Sequence, residues 1–459
     1  MRRAPGAATT DLVGVGFGPA NLALAIALAE YVPPAGGTAA PRARFFEKQS
    51  GFGWHRGMLI DGATMQVSFL KDLVTPRDPT SPLSFLSYLH ANGRTAEFIN
   101  RKSFFPYRTE FHAYLEWAAA RVAADVSYGS EVVGLRAAGD GNLVDVVVRH
   151  GGSLLTQRTR NVVLATGLEP HLPDGVRTGE RVWHSSEFLH RVGAIAAGQP
   201  RRFVVVGAGQ SAAEAVGHLH ERFPYAQVHA VHLRYGYSVA DNSAFANQIF
   251  DPAAVDHFFA APPGVKDMLA RYHANTNYSV VDTDLIQDLY DRSYREGLTG
   301  DRRLHMHGAS RLRGHHPGPD SVRVAVEFLP TGEVTTLTAD AVVFATGYRP
   351  ADPATLLGEL GALCHRDEHG RLLVDRQYRV CTGDALRAGI YLQGPTEHSH
   401  GISSTLLSNV AVRAGEIVAA LTSQHRREEP GPCSYPADMT PGTRNGIAAS
   451  SPGIPWPRS

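Results

Sequence analysis

The sequence predicts an α/β protein with two Rossmann-like dinucleotide-binding domains and a smaller, mostly helical region. Three observations predict it. A strand, a glycine-rich turn and a helix follow one another at Gly14-x-Gly16-x-Gly18 and again at Gly207-x-Gly209-x-x-Ala212, about 190 residues later. Each helix leads into another short apolar run, which completes a βαβ unit. An apolar strand running into Ala-Thr-Gly also occurs twice, at residues 165–167 and 345–347.

Taken in order, residues 1–10 read as a loose tail and Asp11 to Gly14 as a strand. Pro19 suits the first position of a helix, where no N–H is needed, and the helix runs from Asn21 to Glu30. A Pro/Gly/Ala loop at 33–41 leads to the strand Arg44 to Glu47, which ends in an acid. Ser81-Pro82 reads as the start of a helix to about His90. Thr109 reads as the cap of another, with Phe111, Tyr114, Leu115, Ala118 and Val122 on one face. Residues 131–165 alternate like antiparallel strands and end in a buried one, Asn161 to Ala165. The second unit comprises the strand Arg202 to Val206, the helix Ala213 to Arg222 and the strand Val228 to Leu233, closed by Arg234. Residues 240–300 read as helical and aromatic-rich, strands return around 320–346, and a last helix spans about Ser403 to Leu421. The expected organisation is the first part of one dinucleotide domain at 1–168 (the FAD domain, as Glu47 indicates), a second at 169–238 (the NADPH domain, as Arg234 indicates), and a substrate-binding region at 239–318. Returning strands and a C-terminal helix of the first domain occupy 319–423, and a disordered tail 424–459.

The naming of the two nucleotides rests on the acid and the arginine. Glycines let the backbone approach a pyrophosphate, and a helix N-terminus offers N–H donors to it. Glu47 at the end of its strand can hydrogen-bond ribose hydroxyls, whereas Arg234 at the corresponding place fits a 2′-phosphate. In the first turn Pro19 stands where a third glycine is usual. An acid after one turn and an arginine after the other point to FAD and NADPH. Electrons from NADPH then need an acceptor. A disulfide reductase needs a cysteine pair, and Cys364, Cys381 and Cys433 are far apart with no CxxC. Molecular oxygen is the simplest acceptor left.

The rest of the composition narrows the class. Among 459 residues, 43% are hydrophobic and 19% charged, as in a globular enzyme. Lys plus Arg and Asp plus Glu are both 44, so no overall charge draws the chain to nucleic acid. No apolar run reaches the roughly 18–20 residues of a membrane span, residues 1–10 lack an apolar core like that of a secretory signal, and the cysteine usage fits a reducing compartment. A cytoplasmic protein is expected. His184, His398 and His400 invite a metal or general-base reading. With 22 histidines, however, close pairs arise by chance, and no third ligand stands at a sensible spacing, so no metal is expected. Phe245, Phe250, Phe258, Phe259, Tyr272 and Tyr278 read as core or pocket wall.

Several segments resemble the microbial N-hydroxylating flavin monooxygenases, the L-ornithine N5- and L-lysine N6-monooxygenases. They are Gly14 to Asn21, Glu47 to His55, Met65 to Leu73, Asp241 to Phe250, Asn275 to Tyr278, Ala345 to Tyr348 and His400 to Ser408. Together they cover the chain from about 10 to 421, and Thr405-Leu-Leu-Ser408 is closer to the ornithine enzymes. The resemblance implies N-hydroxylation of L-ornithine with O2 through a C4a-hydroperoxyflavin, for siderophore or nonribosomal peptide synthesis, by a homotetramer. It also implies roles for residues. Gly14, Gly16, Gly18, Pro19, Glu47, Lys48, Trp54, His55, Val132 and Gln66 belong to the FAD site, with Thr405, Leu406 and Leu407 on the flavin's other side. Gly207, Gly209, Gln210, Ser211 and Arg234 hold NADPH. Lys71 and Asn247 bind the substrate α-carboxylate and the Thr276 carbonyl its α-ammonium. Asn277 touches nicotinamide nucleotide and substrate, and Ser408 lies near the substrate. Lys71, Gln66 and Asn277 are thus the expected catalytic residues. Gln248 stands where relatives usually carry Glu, and the stretch from Arg234 to Asn247 is one residue shorter than in some of them.

From the residues alone Lys71 is a lone cation in an apolar run, suited to a carboxylate ligand, to a salt bridge with Asp72 or to a place in solvent. Asn247 and Asn277 suit a zwitterion but also serve as ordinary loop residues. Three alternatives stay open. One is a flavin monooxygenase acting on lysine, a diamine, a thioether or a ketone. The others are an NADPH-dependent flavin reductase or oxidase, and a nucleotide-binding protein without enzymatic activity.

Overall fold

The computed structural model describes residues 9–424 apart from 36 and 38, so the expected tail beyond 424 and residues 1–8 lie outside the described residues. In chain order the strands are β1 (Thr10–Val15), β2 (Ala43–Phe46), β3 (Asp125–Ser127), β4 (Ser130–Ala138), β5 (Leu143–His150) and β6 (Ser153–Leu164). Then follow β7 (Leu168–Pro170), β8 (Val182–His184), β9 (Arg202–Val206), β10 (Gln227–Val231), β11 (Leu304–His307) and β12 (Ser310–Pro317). The last are β13 (Val322–Phe328), β14 (Glu333–Ala339), β15 (Ala341–Phe344), β16 (Tyr348–Pro350) and β17 (Gly389–Leu392).

The first sheet runs β3-β2-β1-β6-β5-β4, with β17 also on β6. The long β6 changes partners along its length. Its first half pairs antiparallel with β5, and its second half lies parallel to β1 and β17. The helix Pro19–Ala29 buries every residue from Asn21 to Leu28. A helix apolar all round is covered on more than one side, here by the helices Val410–Gln424 and Arg108–Arg121, in one core with Leu12, Phe45 and Val163 of the first sheet.

The second sheet runs β11-β10-β9-β15-β8, all parallel. The helix Gln210–Arg222 covers it through Ala212, Ala215, Val216 and Leu219. The sheet β12-β13-β14 is a separate antiparallel layer. Between the two large sheets the chain crosses twice, each time just after Ala-Thr-Gly, and the crossings pair as the antiparallel β7 and β16. The recurring Ala-Thr-Gly therefore marks the two passages between nucleotide units. The helical stretch comprises Pro252–Ala260, Pro263–Tyr272 and Thr283–Thr299, and residues beyond it belong to β11 and β12.

Three expected helix starts shift. Ser84 caps the helix Phe85–Ala91, accepting from Ser87 N, while the Ser81 hydroxyl donates to Glu30 at 2.6 Å. The helix Arg108–Arg121 has no side-chain cap at Thr109; its first N–H is taken by the Ala63 carbonyl at 2.8 Å. The last helix begins at Val410. Before it lie a short 3-10 turn, Ile402–Thr405, and an extended Leu406. Cys364 is a buried free thiol. Among the described residues no helix is long and apolar enough to cross a membrane.

β10 and β11 bring four histidines together at the edge of the second sheet. The His229 and His305 rings stack at 4.4 Å, and His229 Nδ1 lies 2.9 Å from His307 Nε2. His232 follows on the same strand exit, against Tyr237. Burial, the mutual repulsion of the rings and the nearby Arg202 hold His229 down at about 3, and burial lowers His232, His305 and His307 as well. The Arg302 backbone and Glu296 favour protonation of His305, while the Arg302 and Arg202 charges oppose it. The folded state thus keeps these rings neutral while the unfolded chain protonates below about pH 6.5. Stability from this cluster is complete above that pH and is lost as pH falls toward the folded values. For His229 the slope is about 1.4 kcal/mol per pH unit in that window. The melting temperature is expected to fall by several degrees between pH 6.5 and 5, and His229→Gln is expected to shrink the fall. An unchanged slope in the variant would contradict this.

Candidate active site

The first glycine turn works in a different register from the one read in the sequence. Gly14 is a packing residue of β1: a Cβ there would lie 2.2 Å from Phe45 Cδ1. Gly16 makes the tight turn, with φ +81°, and its Cβ would meet the Ala165 carbonyl oxygen at 2.5 Å. Gly18 is the N-cap of the helix Pro19–Ala29, and nothing stands within 4 Å of its Cβ direction. In the second unit Gly207 has φ +146°, a Cβ there would collide with the Ala345 carbonyl oxygen, and Gly209 is the N-cap. Gly16-x-Gly18-x-x-Asn21 therefore matches Gly207-x-Gly209-x-x-Ala212. Asn21, not Pro19, takes the third place; its amide donates to Gly16 O at 2.7 Å and ties the turn to the helix. Pro19 is the first helical residue, as expected.

Glu47 follows β2 and is 5% exposed. One carboxylate oxygen accepts Phe17 N at 2.7 Å and the other Gln49 N at 2.8 Å. Each oxygen keeps a lone pair for a ribose hydroxyl. The open direction at Gly18, the helix N-terminus and Glu47 fit a dinucleotide pyrophosphate and its adenosine ribose. Lys48 is exposed; Val132 is buried in β4, opposite Val148. Trp54 is half-buried and packs edge-on against His55 at 4.7 Å. His55 has a left-handed backbone, φ 51°, and is open to solvent yet ringed by protein, as on a cleft wall. Loss of solvation and the Arg108 guanidinium hold its imidazole at about 4, so it is neutral at pH 7.

In the second unit Gln210 opens its helix and is bonded at both ends. Its Oε1 accepts Asp282 N at 2.9 Å and its Nε2 donates to Glu214 at 3.0 Å. Ser211 follows, half-buried. β10 stops at Val231, so Arg234 lies three residues past the strand, exposed, with its carbonyl accepting from Ala309 N and lying 2.7 Å from His232 Nδ1. The Ser279 backbone passes 3.6 Å from the Cβ direction of Gly209. The loop carrying Thr276 and Asn277 therefore lies directly over the second glycine turn.

That loop also reaches the C-terminal segment. Tyr278 Oη donates to Glu397 at 2.8 Å and bonds with Thr405. Burial raises both the phenol and the carboxyl. Thr276 Oγ1 donates to His273 O at 2.7 Å. Thr405, Leu406 and Leu407 are half-buried and Ser408 is 8% exposed. Asn247 sits in the 3-10 turn Ala246–Phe250, which packs on Ile402–Thr405, and its amide donates to Asn242 O. Lys71 is half-buried with its ammonium 5.8 Å from the Phe250 ring, beside that turn. Desolvation lowers its pKa and Asp251 opposes the shift. Asp72 is not its partner: the Asp72 carboxylate accepts Val74, Thr75 and Phe85 backbone N–H. Gln66, on the facing loop, donates to Asp282 at 3.1 Å.

Some of the framework has no signature in the sequence pattern. Asn21, Gln393, Arg413 and Ser404 form a buried chain: Gln393 Nε2 donates to Asn21 at 3.0 Å and Arg413 donates to Gln393 and to Ser404 O. It fastens the segment before Ser408 to the first glycine turn. Separation of some 370 residues hides it, although a lone arginine inside an apolar helix is a signal. The three singled-out histidines are structural. His184 bonds Ser186 and Gly347 O, His398 bonds Leu372 O, and His400 bonds Ser399 and Arg376 O. Among the described residues no three His, Cys, Asp or Glu side chains are grouped to hold a metal ion.

Fold and site together define a flavoenzyme of the class with two dinucleotide-binding domains. A family model described as L-lysine 6-monooxygenase/L-ornithine 5-monooxygenase matches residues 8–350. The L-ornithine N(5)-monooxygenase of Pseudomonas aeruginosa is 37% identical over 420 residues, covering 90% of this chain and 93% of the relative. Among solved structures, the ornithine N-hydroxylase of Kutzneria sp. 744, with reduced FAD, NADP+ and L-ornithine, is 49% identical at a TM-score of 0.88, covering 91% of this chain and 100% of that one. The L-lysine 6-monooxygenase of Pseudomonas syringae is 33% identical at a TM-score of 0.77, covering 90% and 99%. The chain belongs to the L-lysine 6-monooxygenase/L-ornithine 5-monooxygenase family.

Proposed function

We infer that this chain is an FAD- and NADPH-dependent L-ornithine N5-monooxygenase. The observation that carries the reading is the match, over 91% of the chain, to the Kutzneria ornithine N-hydroxylase with its reduced FAD, NADP+ and L-ornithine. FAD, reduced by NADPH, supplies the oxygen chemistry when bound. The protein's own work is to bind, orient and keep water away. Gly16, Gly18, Glu47, Trp54 and His55 hold FAD; Gly207, Gly209, Gln210, Ser211 and Arg234 hold NADPH. Lys71, a partly desolvated cation beside the turn of Asn247, takes the α-carboxylate with it. The Thr276 carbonyl takes the α-ammonium, and Asn277 and Ser408 complete the substrate site. With the α-carbon held, the side-chain amine reaches the reacting oxygen only at one chain length. The hydrophobic value of a methylene, about 1–3 kcal/mol, adds less to selectivity than this reach.

The reaction is tested with 18O2: one labelled oxygen on N5 of ornithine supports the reading, and unlabelled or absent hydroxylamine contradicts it. Arg234→Ala is expected to erode the preference for NADPH over NADH by about tenfold or more, the worth of one charge-assisted contact. An unchanged ratio places the 2′-phosphate elsewhere. The assembly we propose is a homotetramer. Tyr290, Tyr294 and Leu298, at 68%, 60% and 72% exposure, stand on one face of the helix Thr283–Thr299 and support an interface there. A cytoplasmic enzyme making N5-hydroxy-L-ornithine for a siderophore or nonribosomal peptide completes the reading.

A further inference from the structure

Gln66 and Gln210, assigned above to the flavin and nicotinamide sides, belong to one chain of hydrogen bonds between the two nucleotide units, which the backbone from Thr64 to Gln66 closes into a ring. Gln66 donates to Asp282, and Asp282 N donates to Gln210 Oε1. Gln210 Nε2 donates to Glu214 Oε1. Arg108, from the first domain, grips Glu214 with two bonds of 2.7 and 2.8 Å. The same guanidinium reaches back to Met58 O at 2.8 Å and Thr64 O at 3.5 Å, two residues before Gln66. The Arg108 and Glu214 side chains are 12% and 5% exposed. Glu214 is the node: it alone in the ring bonds both the first-domain arginine and the second-domain glutamine.

We propose that Glu214 is a positioning residue for hydride transfer, fixing the nicotinamide side against the flavin side through Arg108, Gln210, Asp282 and Gln66. The proposal rests on the cofactor reading above. In the step concerned one hydride, carrying two electrons, leaves reduced nicotinamide and reduces the flavin. A bidentate buried pair holds a fixed geometry better than a single bond does. Misplacement by an ångström is enough to slow a transfer about a hundredfold.

The test uses the FAD-loaded full chain with Glu214→Gln and Glu214→Asp. Expected for Glu214→Gln is a 10- to 100-fold slower anaerobic flavin reduction by NADPH, the range set by such misplacement, with ornithine KM unchanged. By calorimetry, NADP+ binding is expected to weaken while 2′,5′-ADP, which lacks the nicotinamide, binds as before. Stereospecificity for one C4 hydrogen, read with deuterated NADPH, is expected to erode, and Glu214→Asp to recover part of the rate. A wild-type reduction rate, with NADP+ and 2′,5′-ADP unchanged and only the melting temperature lowered, overturns the proposal and leaves a structural ion pair. If Glu214→Gln does not fold, Asp282→Ala opens the ring without stranding the buried Arg108; normal reduction and stereospecificity there overturn the proposal equally. Failure of the underlying cofactor reading shows differently, as no flavin reduction by NADPH in the unsubstituted protein.

Discussion

Gly18→Ala is expected to yield a folded protein that purifies without its yellow colour. Its backbone, φ −83° and ψ −170°, is one any residue adopts, and among the described residues no atom beyond its chain neighbours lies within 4 Å of the new methyl. The fold has no reason to object. The methyl instead occupies the place assigned to the pyrophosphate. Overpacking costs about 1–3 kcal/mol, or roughly 5- to 150-fold in FAD affinity. Gly16→Ala is the counterpart. At φ +81° and 2.5 Å from the Ala165 carbonyl it strains the backbone at the crossing between units, and little folded protein is expected. The pair is checked by circular dichroism and FAD titration. Gly18→Ala with normal FAD affinity contradicts the assignment of the turn.

Lys71→Met is expected to raise the ornithine KM by roughly 30- to 1,000-fold, the about 2–4 kcal/mol lost when one partner of a desolvated charge pair is removed. The methionine keeps the apolar stem against Phe250. NADPH oxidation without ornithine is expected to stay near the wild-type rate, because Lys71 belongs to the amino-acid side. An unchanged KM removes Lys71 from the site; an equal loss in both reactions makes it a general structural residue.

Local features are legible in the sequence. Glycines at strand ends, an acid after β2, Pro19 at a helix start and the repeated Ala-Thr-Gly all act within a few residues. Their placement follows from backbone geometry and periodicity. The register of the first turn is not legible, because Gly14, Gly16 and Gly18 are equivalent in spacing. Phe45 and the Ala165 carbonyl, distant in sequence, decide which is which. Thr109 reads as a cap because Ala63, whose carbonyl satisfies the first N–H, arrives from another segment. Lys71 beside Asp72 suggests a salt bridge, but the backbone N–H of Phe85 and its neighbours occupy the carboxylate. The Arg413 chain and the Arg108–Glu214 ring join residues far apart in the chain. No local pattern announces such pairings.

The most direct test of ornithine hydroxylation at this site is the ratio of hydroxylated amine formed to NADPH oxidised in air. L-ornithine, L-lysine and butane-1,4-diamine are compared side by side. A ratio close to unity with ornithine, and well below it with the other two, is the predicted result. NADPH consumed with only hydrogen peroxide formed from all three, or coupling to lysine as tight as to ornithine, would contradict it.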